Sequence, residues 1–199
     1  AGCQEVKIGL ESGNVQIRRE VLNRNLSQEV MIKAFRTCKE EGIKVHSFNM
    51  VGLPGETVGA VLDTIKLNAL VDIDKTQCSV FQPYPGTKLY EVCQEQSLVS
   101  DQESTDFFLS STLNLKFISK TQTIMFSRYF RQLVNLYKLN YCLPGRISAL
   151  TGKALDAALC FKYTPGLLAT LKHIVHGLKQ VAALCKSPLV VKSRGNTIR

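Results

Sequence analysis

The sequence predicts an α/β fold in which three parallel βα units are followed by an α-helical C-terminal region. Strand and helix patterns alternate through residues 1–96, separated by tight loops. Each strand runs out into a short distinctive loop: Glu11-Ser12-Gly13, Gly52-Leu53-Pro54-Gly55-Glu56-Thr57 and Pro83-Tyr84-Pro85-Gly86-Thr87. Past Asp106 only helical periodicity remains. If the strands are parallel neighbours, all three loops open on one edge of one sheet. That edge is where α/β barrels and doubly wound sheets build their binding sites.

The first strand, Glu5 to Leu10, sets Val6, Ile8 and Leu10 against Lys7, Gly9 and Glu11, a period of two. The apolar set should face covering helices and the other set the enclosed or open side. Ser27 is placed to cap a helix from Gln28 to Glu41, with Gly42 just past its end and Val30, Ala34 and Cys38 as its apolar stripe. A second strand follows from about Ile43 to Val51, its facing not evident from the residues. Pro54-Gly55 suits the centre of a type II turn, and Thr57 starts a helix carrying Val61, Ile65 and Asn68, flanked by Leu62 and Ala69. The third strand runs from Lys75 to Gln82, Pro85-Gly86 forms a second such turn, and a short helix spans Lys88 to Gln96. Strands and helices in this order are the signature of right-handed βα crossovers.

Residues 122–141 predict a helix with a broad aromatic face: Met125, Tyr129, Leu133, Leu136 and Asn140 beside Phe126, Phe130, Tyr137 and Tyr141. Pro144-Gly145 ends it. Thr164-Pro165 opens another helix, with Leu167, Leu171, Ile174, Leu178, Val181 and Cys185 on one side and Lys172, Lys179 and Lys186 on a different one. The tail from Ser187 is basic and poor in helix formers.

With 199 residues, 45% hydrophobic and 21% charged, the chain can bury a core in one or two domains. No apolar stretch approaches the roughly 20 residues that span a bilayer, and no signal-peptide pattern opens the sequence. The start, Ala1-Gly2-Cys3, reads as a beginning in mid-domain or as a processed or trimmed terminus. Seven cysteines, an odd number without a secretory signal, argue for reduced thiols and a cytoplasmic location. None are close enough for a C-x-x-C motif, so no metal ligands are assigned. Charge divides unevenly. Residues 1–106 hold 11 Lys+Arg against 15 Asp+Glu, whereas residues 107–199 hold 14 against a single acid, Asp156. Such asymmetry argues for two regions with different partners.

Glu11 ends a strand on the enclosed side, where a carboxylate can accept hydrogen bonds from ligand hydroxyls; a solvated strand-end glutamate is the ordinary alternative. Arg24 lies close enough in sequence to reach back over the rim and suits a ligand carboxylate, with a plain surface arginine as the alternative. Gly52 at a strand end lets a flat ring approach the backbone, whose N–H and C=O can read its edge. An ordinary βα turn would need one Pro-Gly and not the whole string. His46, His173 and His176 lack an acidic partner near in sequence and receive no catalytic or metal role. The basic final helix could press on an anionic surface, though such a helix more often packs its apolar face and solvates its lysines. No nucleic-acid-binding motif is present, so no nucleic acid is expected as a partner.

Taken in order, Ala1-Gly2-Cys3, Val6 to Gly13, Asn23-Arg24, Gly42-Ile43, Asn49 to Thr57 and Pro83 to Tyr90 resemble radical S-adenosylmethionine enzymes, most closely the class with an N-terminal cobalamin-binding domain. The resemblance covers residues 1–96, matched to the last three βα units of that family's partial TIM-type barrel; residues 97–199 form a basic helical C-terminal region. It implies a barrel holding S-adenosylmethionine and a [4Fe-4S] cluster at its mouth, with cobalamin in the longer protein. By position, Glu11 would meet the ribose and Arg24 the methionine carboxylate or ribose. Gly52, Leu53 and Pro54 would lie beside the adenine, with Gln82 near the same end. Phe48 stands where several relatives place an aspartate. The family's C-x-x-x-C-x-x-C loop, which ligates the cluster, has no counterpart in this sequence. The resemblance therefore implies part of a radical enzyme, active only with the missing N-terminal half of the barrel. No residue of this chain is assigned a catalytic role, and its substrate is not legible. The rival expectation is a non-catalytic half-barrel whose basic helices bind an acidic partner or membrane surface. A third reading, an α/β barrel enzyme for a phosphate-bearing ligand, lacks a glycine-rich phosphate loop.

Overall fold

The computed structural model describes residues 2–99 and 113–161. The strands β1 (Glu5–Glu11), β2 (Lys44–Val51) and β3 (Lys75–Val80) form one parallel sheet in the order β1-β2-β3. Gly9 pairs with Phe48 and Phe48 with Gln77, so those three form a row across one face. Lys7, His46 and Lys75 form the next row on that face. The opposite face carries Leu10, Val45, Ser47, Asn49, Val51, Cys78 and Val80, all buried. The facing of β2, undecided by its sequence, follows from this register.

Ser47 and Asn49 are polar residues on the covered face, and a closed network explains how burial tolerates them. Ser47 Oγ lies 2.6 Å from Asn68 Oδ1, and Asn68 Nδ2 donates to Asn49 Oδ1 at 2.8 Å. Asn49 Nδ2 in turn donates to Thr76 Oγ1 at 2.9 Å, tying β2, β3 and the helix above them. Buried polar groups that find partners carry little of the desolvation penalty they would otherwise incur.

Helix α1 (Gln28–Glu40) begins at Ser27, whose side chain accepts from the Val30 N–H at 3.3 Å. It ends in a Schellman arrangement: Gly42, at φ 71°, donates to Lys39 O, and the Ile43 N–H reaches Cys38 O at 2.8 Å. Its buried stripe is Met31 and Phe35, and Val30 is 53% exposed. The expected stripe of Val30, Ala34 and Cys38 is thus rotated by one position, because the larger side chains at the same spacing take the core. Helix α2 (Val58–Leu70) is capped by Thr57 and buries Val61, Leu62, Ile65, Asn68 and Ala69 as expected. Val58, Ala60, Thr64 and Leu67 are buried too, because the helix is packed between the sheet and α4. A short α3 (Lys88–Glu95) follows Thr87, its N-cap.

Beyond the expected boundary after residue 96, α4 (Lys120–Tyr141) packs on α2 and β3. Ser119 and Gln122 close its N-terminus as a capping box. Its buried face includes Met125, Phe126, Phe130, Leu133, Val134 and Tyr137. The sequence stops at Pro144-Gly145, but the chain enters a further helix there, α5 (Gly145–Cys160), with Pro144 in the N-cap position. Leu159 is its one buried residue, which is why periodicity did not reveal it. Asp156 anchors α5. Its carboxylate takes Lys66 Nζ of α2 at 2.6 Å and Tyr137 Oη of α4 at 2.5 Å. The helix expected from Thr164, its lysines 172, 179 and 186, and the tail from Ser187 lie outside the described residues.

Candidate site at the C-terminal rim of the sheet

Because the strands run in one direction, their C-terminal ends lie along one edge, and the three loops leave from it. The first loop starts with an irregularity: the register shifts between Gly9 and Glu11, and Glu11 sits at φ 65°, in the left-handed region. The Ser12 N–H bonds to Leu10 O at 2.8 Å, closing a three-residue turn around Glu11. Such bulges re-aim a side chain at a strand end. Here the Glu11 carboxylate folds back over Gly9, where a Cβ would lie 2.4 Å from Glu11 Oε1. Glycine at this position makes room for the carboxylate.

Arg24 arrives at the same spot. Its Nη1 donates to Gly9 O at 3.0 Å, and its Nη2 lies 3.6 Å from Glu11 Oε1. Burial pushes the Glu11 carboxyl above its usual value, and Arg24 opposes that rise. The Arg24 side chain is 51% exposed, so the guanidinium keeps hydrogen-bonding capacity toward solvent. Behind this pair stands Arg18, on a π-helical turn spanning Ile17–Val21. It is 1% exposed and donates to Ser12 O at 2.9 Å. Nothing in the local sequence marks Arg18 as buried. The loop is pinned from the other side by α2: a Cβ on Gly13 would meet the Asp63 carbonyl oxygen at 2.4 Å, and the Gly13 N–H donates to Thr64 Oγ1 at 2.8 Å.

The second loop contains the expected turn, with Gly55 at φ 74° and the Glu56 N–H on Leu53 O at 3.0 Å. Leu53 is fully buried in the apolar cluster with Ile17, Phe81 and Leu113. Gly52, at φ 86°, faces Thr123 of α4, whose Cγ2 would lie 2.8 Å from an added Cβ. Close approach to this glycine is real, and in this structure the approaching group is a threonine methyl. Glu56 is fully buried, and its Oε2 accepts from the N–H groups of Gly52 at 2.6 Å and Leu53 at 3.2 Å. Burial pushes its carboxyl up to about 7, against those two donors. The third loop repeats the turn, with Gly86 at φ 82° and the Thr87 N–H on Tyr84 O.

A cleft of about 770 Å³ opens among these loops, lined by Asn23, Pro54, Gly55, Phe81, Gln82 and Leu89 among others. Its size suits a cofactor or drug-sized ligand. Of the sequence-derived site residues, Pro54 and Gln82 line this cleft together. Glu11 and Arg24 form their own pair beside it, and Asn23, the residue before Arg24, belongs to the cleft wall. Gly52 and Leu53 lie in the packed interior just below. On the open face, Phe48 stacks on His46 with ring centroids 4.7 Å apart.

Comparison with known proteins gives this geometry a context. Residues 1–67 match the Radical SAM superfamily. An uncharacterized methyltransferase of Pyrococcus horikoshii is 34% identical over 98 residues, which is 49% of this chain and 21% of that protein. The [FeFe] hydrogenase maturase subunit HydE of Thermotoga maritima is 27% identical over 125 residues, 63% of this chain and 32% of that one. Among solved structures, the radical S-adenosylmethionine methyltransferase TsrM from Kitasatospora setae, with cobalamin and a [4Fe-4S] cluster bound, aligns at 20% identity. Its TM-score is 0.43 over 57% of this chain and 23% of that one. The chain spans between a fifth and a third of the length of the curated relatives named here. Loops one and two of the rim, with Glu11, Arg24, Gly52, Leu53 and Pro54, fall inside the matched residues 1–67.

The described residues at the rim suit one of the groups that these comparisons name. A carboxylate, a half-exposed guanidinium and a cleft with apolar and amide walls suit the hydroxyls, carboxylate and ring of S-adenosylmethionine. A [4Fe-4S] cluster needs thiolates grouped around it. Among the described residues no group of three or more His, Cys, Asp or Glu is placed to hold a metal.

Proposed function

We propose that this chain contributes the adenosyl-facing part of the S-adenosylmethionine site in a radical enzyme of the cobalamin-binding class, with a radical transformation or methyl transfer as its reaction. Convergence carries this reading: the Glu11–Arg24 pair and the Pro54–Gln82 cleft open on one edge of a parallel sheet within and next to the radical SAM segment. Glu11 would accept from ribose hydroxyls, Arg24 would hold the carboxylate or ribose, and the backbone from Gly52 to Pro54, with Gln82, would border the adenine. When bound, S-adenosylmethionine supplies the radical chemistry; these residues orient it and exclude water. The cluster and any cobalamin would be held by parts of a longer protein, and this chain without them would be inert. Free cysteines throughout the described residues fit a cytoplasmic setting.

Calorimetric titration of S-adenosylmethionine into the chain tests the binding role. Glu11→Gln and Arg24→Ala should each weaken binding by about tenfold, and an unchanged affinity in both variants would remove the assignment. Coding sequence upstream provides an independent check, because the reading requires a C-x-x-x-C-x-x-C loop there.

The second reading, a non-catalytic half-barrel with a docking face, draws support from α5. Ile147, Leu150 and Phe161 are 50–73% exposed there beside Arg146 and Lys153. Flotation with anionic vesicles that is lost in an Ile147→Glu, Leu150→Glu variant, alongside absent S-adenosylmethionine binding, would favour it.

A further inference from the structure

We propose that the cavity between β3 and α4 binds a phosphate monoester whose carbon skeleton carries a hydroxyl group beside the phosphate. S-adenosylmethionine carries no phosphate, and this cavity shares no residue with the rim cleft, so the site stands independently of the cofactor reading. β3 is an end strand of the sheet, and α4 packs against it. Ser127 Oγ donates to Cys78 O at 3.0 Å and ties the helix to the strand. Around that tie opens a space of about 360 Å³, bounded by Thr76 and Gln77 of β3 and by Arg128, Phe130, Arg131 and Gln132 of α4. Its volume is near the lower end for small-molecule sites and suits an ester of a few carbons.

Charge and hydrogen bonding select that ligand. Arg128 and Arg131 stand three positions apart on α4, neighbours on its surface, and both are exposed. No Asp or Glu lines the cavity. Arg24, Lys39, Lys66, Lys75 and Lys138 each meet a carboxylate, whereas among the described residues no ion pair includes Arg128 or Arg131. Like charges at this spacing repel, and an oxyanion between them turns the repulsion into attraction. Guanidinium forks match the oxygens of phosphate in geometry as well as in charge. The third group calls for a donor. Gln132 Oε1 is buried and has no hydrogen-bond partner, a cost that a ligand donor would remove. An ester phosphate dianion has no O–H of its own, so that donor is a hydroxyl on the carbon skeleton. The Ser127 hydroxyl in the wall is already committed to Cys78 O.

The test titrates the full chain with α-glycerophosphate and, separately, with sulfate at about pH 8, where the ester is a dianion. Arginine side-chain N–H signals are followed by NMR and affinities by calorimetry. In wild type the Arg128 and Arg131 signals should shift. Arg128→Gln and Arg131→Gln should each weaken α-glycerophosphate by about tenfold, and the double variant should abolish binding while keeping the wild-type unfolding midpoint. Gln132→Leu should weaken α-glycerophosphate by about fivefold or more and leave sulfate, which has no donor, unchanged. If that variant does not fold, Gln132→Met, closer in length, replaces it. Silent arginine signals in wild type, or wild-type affinity in the double variant, overturn the proposal. Equal affinities for the two anions, both indifferent to Gln132→Leu, mean an adventitious ion only and overturn it too. Pelleting with vesicles of phosphatidic acid in phosphatidylcholine separates the two sources of such an ester. Recruitment lost in the double variant marks a lipid headgroup; α-glycerophosphate binding without recruitment marks a soluble ester. Recruitment that the double variant retains, with no response to α-glycerophosphate, assigns the vesicle contact to another surface and sinks the site.

Discussion

Two glutamates on the rim are both held above their usual carboxyl range, and each for a different structural purpose. Glu11 is partly desolvated where it folds over bare Gly9 and meets Arg24; Glu56 is sealed in and bonded only to backbone amides. Glycines define the space around them. Gly13 has the α2 backbone within 2.4 Å of where a Cβ would stand, and Gly55 has open space around it but φ 74°. Gly13→Ala should therefore destabilise the fold by about 2–3 kcal/mol through backbone displacement, and Gly55→Ala by only about 1 kcal/mol through backbone conformation. Urea unfolding of the two variants checks the order; equal losses would show that α2 yields easily at Gly13. The importance of Gly52 could be read from the string around it. The burial of Arg18 and Glu56 could not, because a charged residue looks the same in sequence whether or not the fold encloses it.

At the scale of elements, the expected strands and the first four helices stand within a few residues of their predicted places, and caps explain why. Ser27, Thr57, Thr87 and Ser119 each accept from a backbone N–H in the first turn that follows. Ser119→Ala removes both halves of the capping box and should cost about 1 kcal/mol, read as a shift in the urea midpoint. The stripe of α1 and the whole of α5 were not legible, since one depends on which side chains win the core and the other buries only Leu159. What holds α5 is chemistry between elements: Lys66, Tyr137 and Asp156, with Lys66 Nζ also 5.6 Å from the Tyr137 ring centroid. The one acid in the basic half of the sequence is thus a joint. Tyr137→Phe loses the hydroxyl bond to Asp156 and should cost about 1 kcal/mol, while a helical signal that drops by about one helix would mean that the joint alone keeps α5 folded.

For the molecule as a whole, stability should depend on pH in two opposite senses. Glu5 and Asp72 have carboxyl groups held low, chiefly by Lys75 for Glu5 and by Lys138 and Lys39 for Asp72 against the effect of burial. Their contribution is present above the unfolded-state value and is lost as pH falls through the lower folded one. Glu56 acts the other way. Its folded value of about 7 lies above the unfolded one, so its neutral form stabilises fully in acid and that contribution fades as pH rises through 7. The loss is on the order of 3 kcal/mol between about pH 4.5 and 7. Unfolding free energies measured across that window should fall in wild type and stay level in Glu56→Gln. Among the described residues no helix is long and apolar enough to cross a membrane. By itself the sequence determined the alternation of strands and helices, their caps and turns, and hence the parallel sheet with its loops on one edge, because those are set by local periodicity and backbone preference. Tertiary structure alone decided that Glu11 and Arg24 meet over Gly9, that Pro54 and Gln82 share a cleft, and that Arg18 and Glu56 are enclosed. Each of those joins residues from different elements, and only packing brings such residues within a few ångströms.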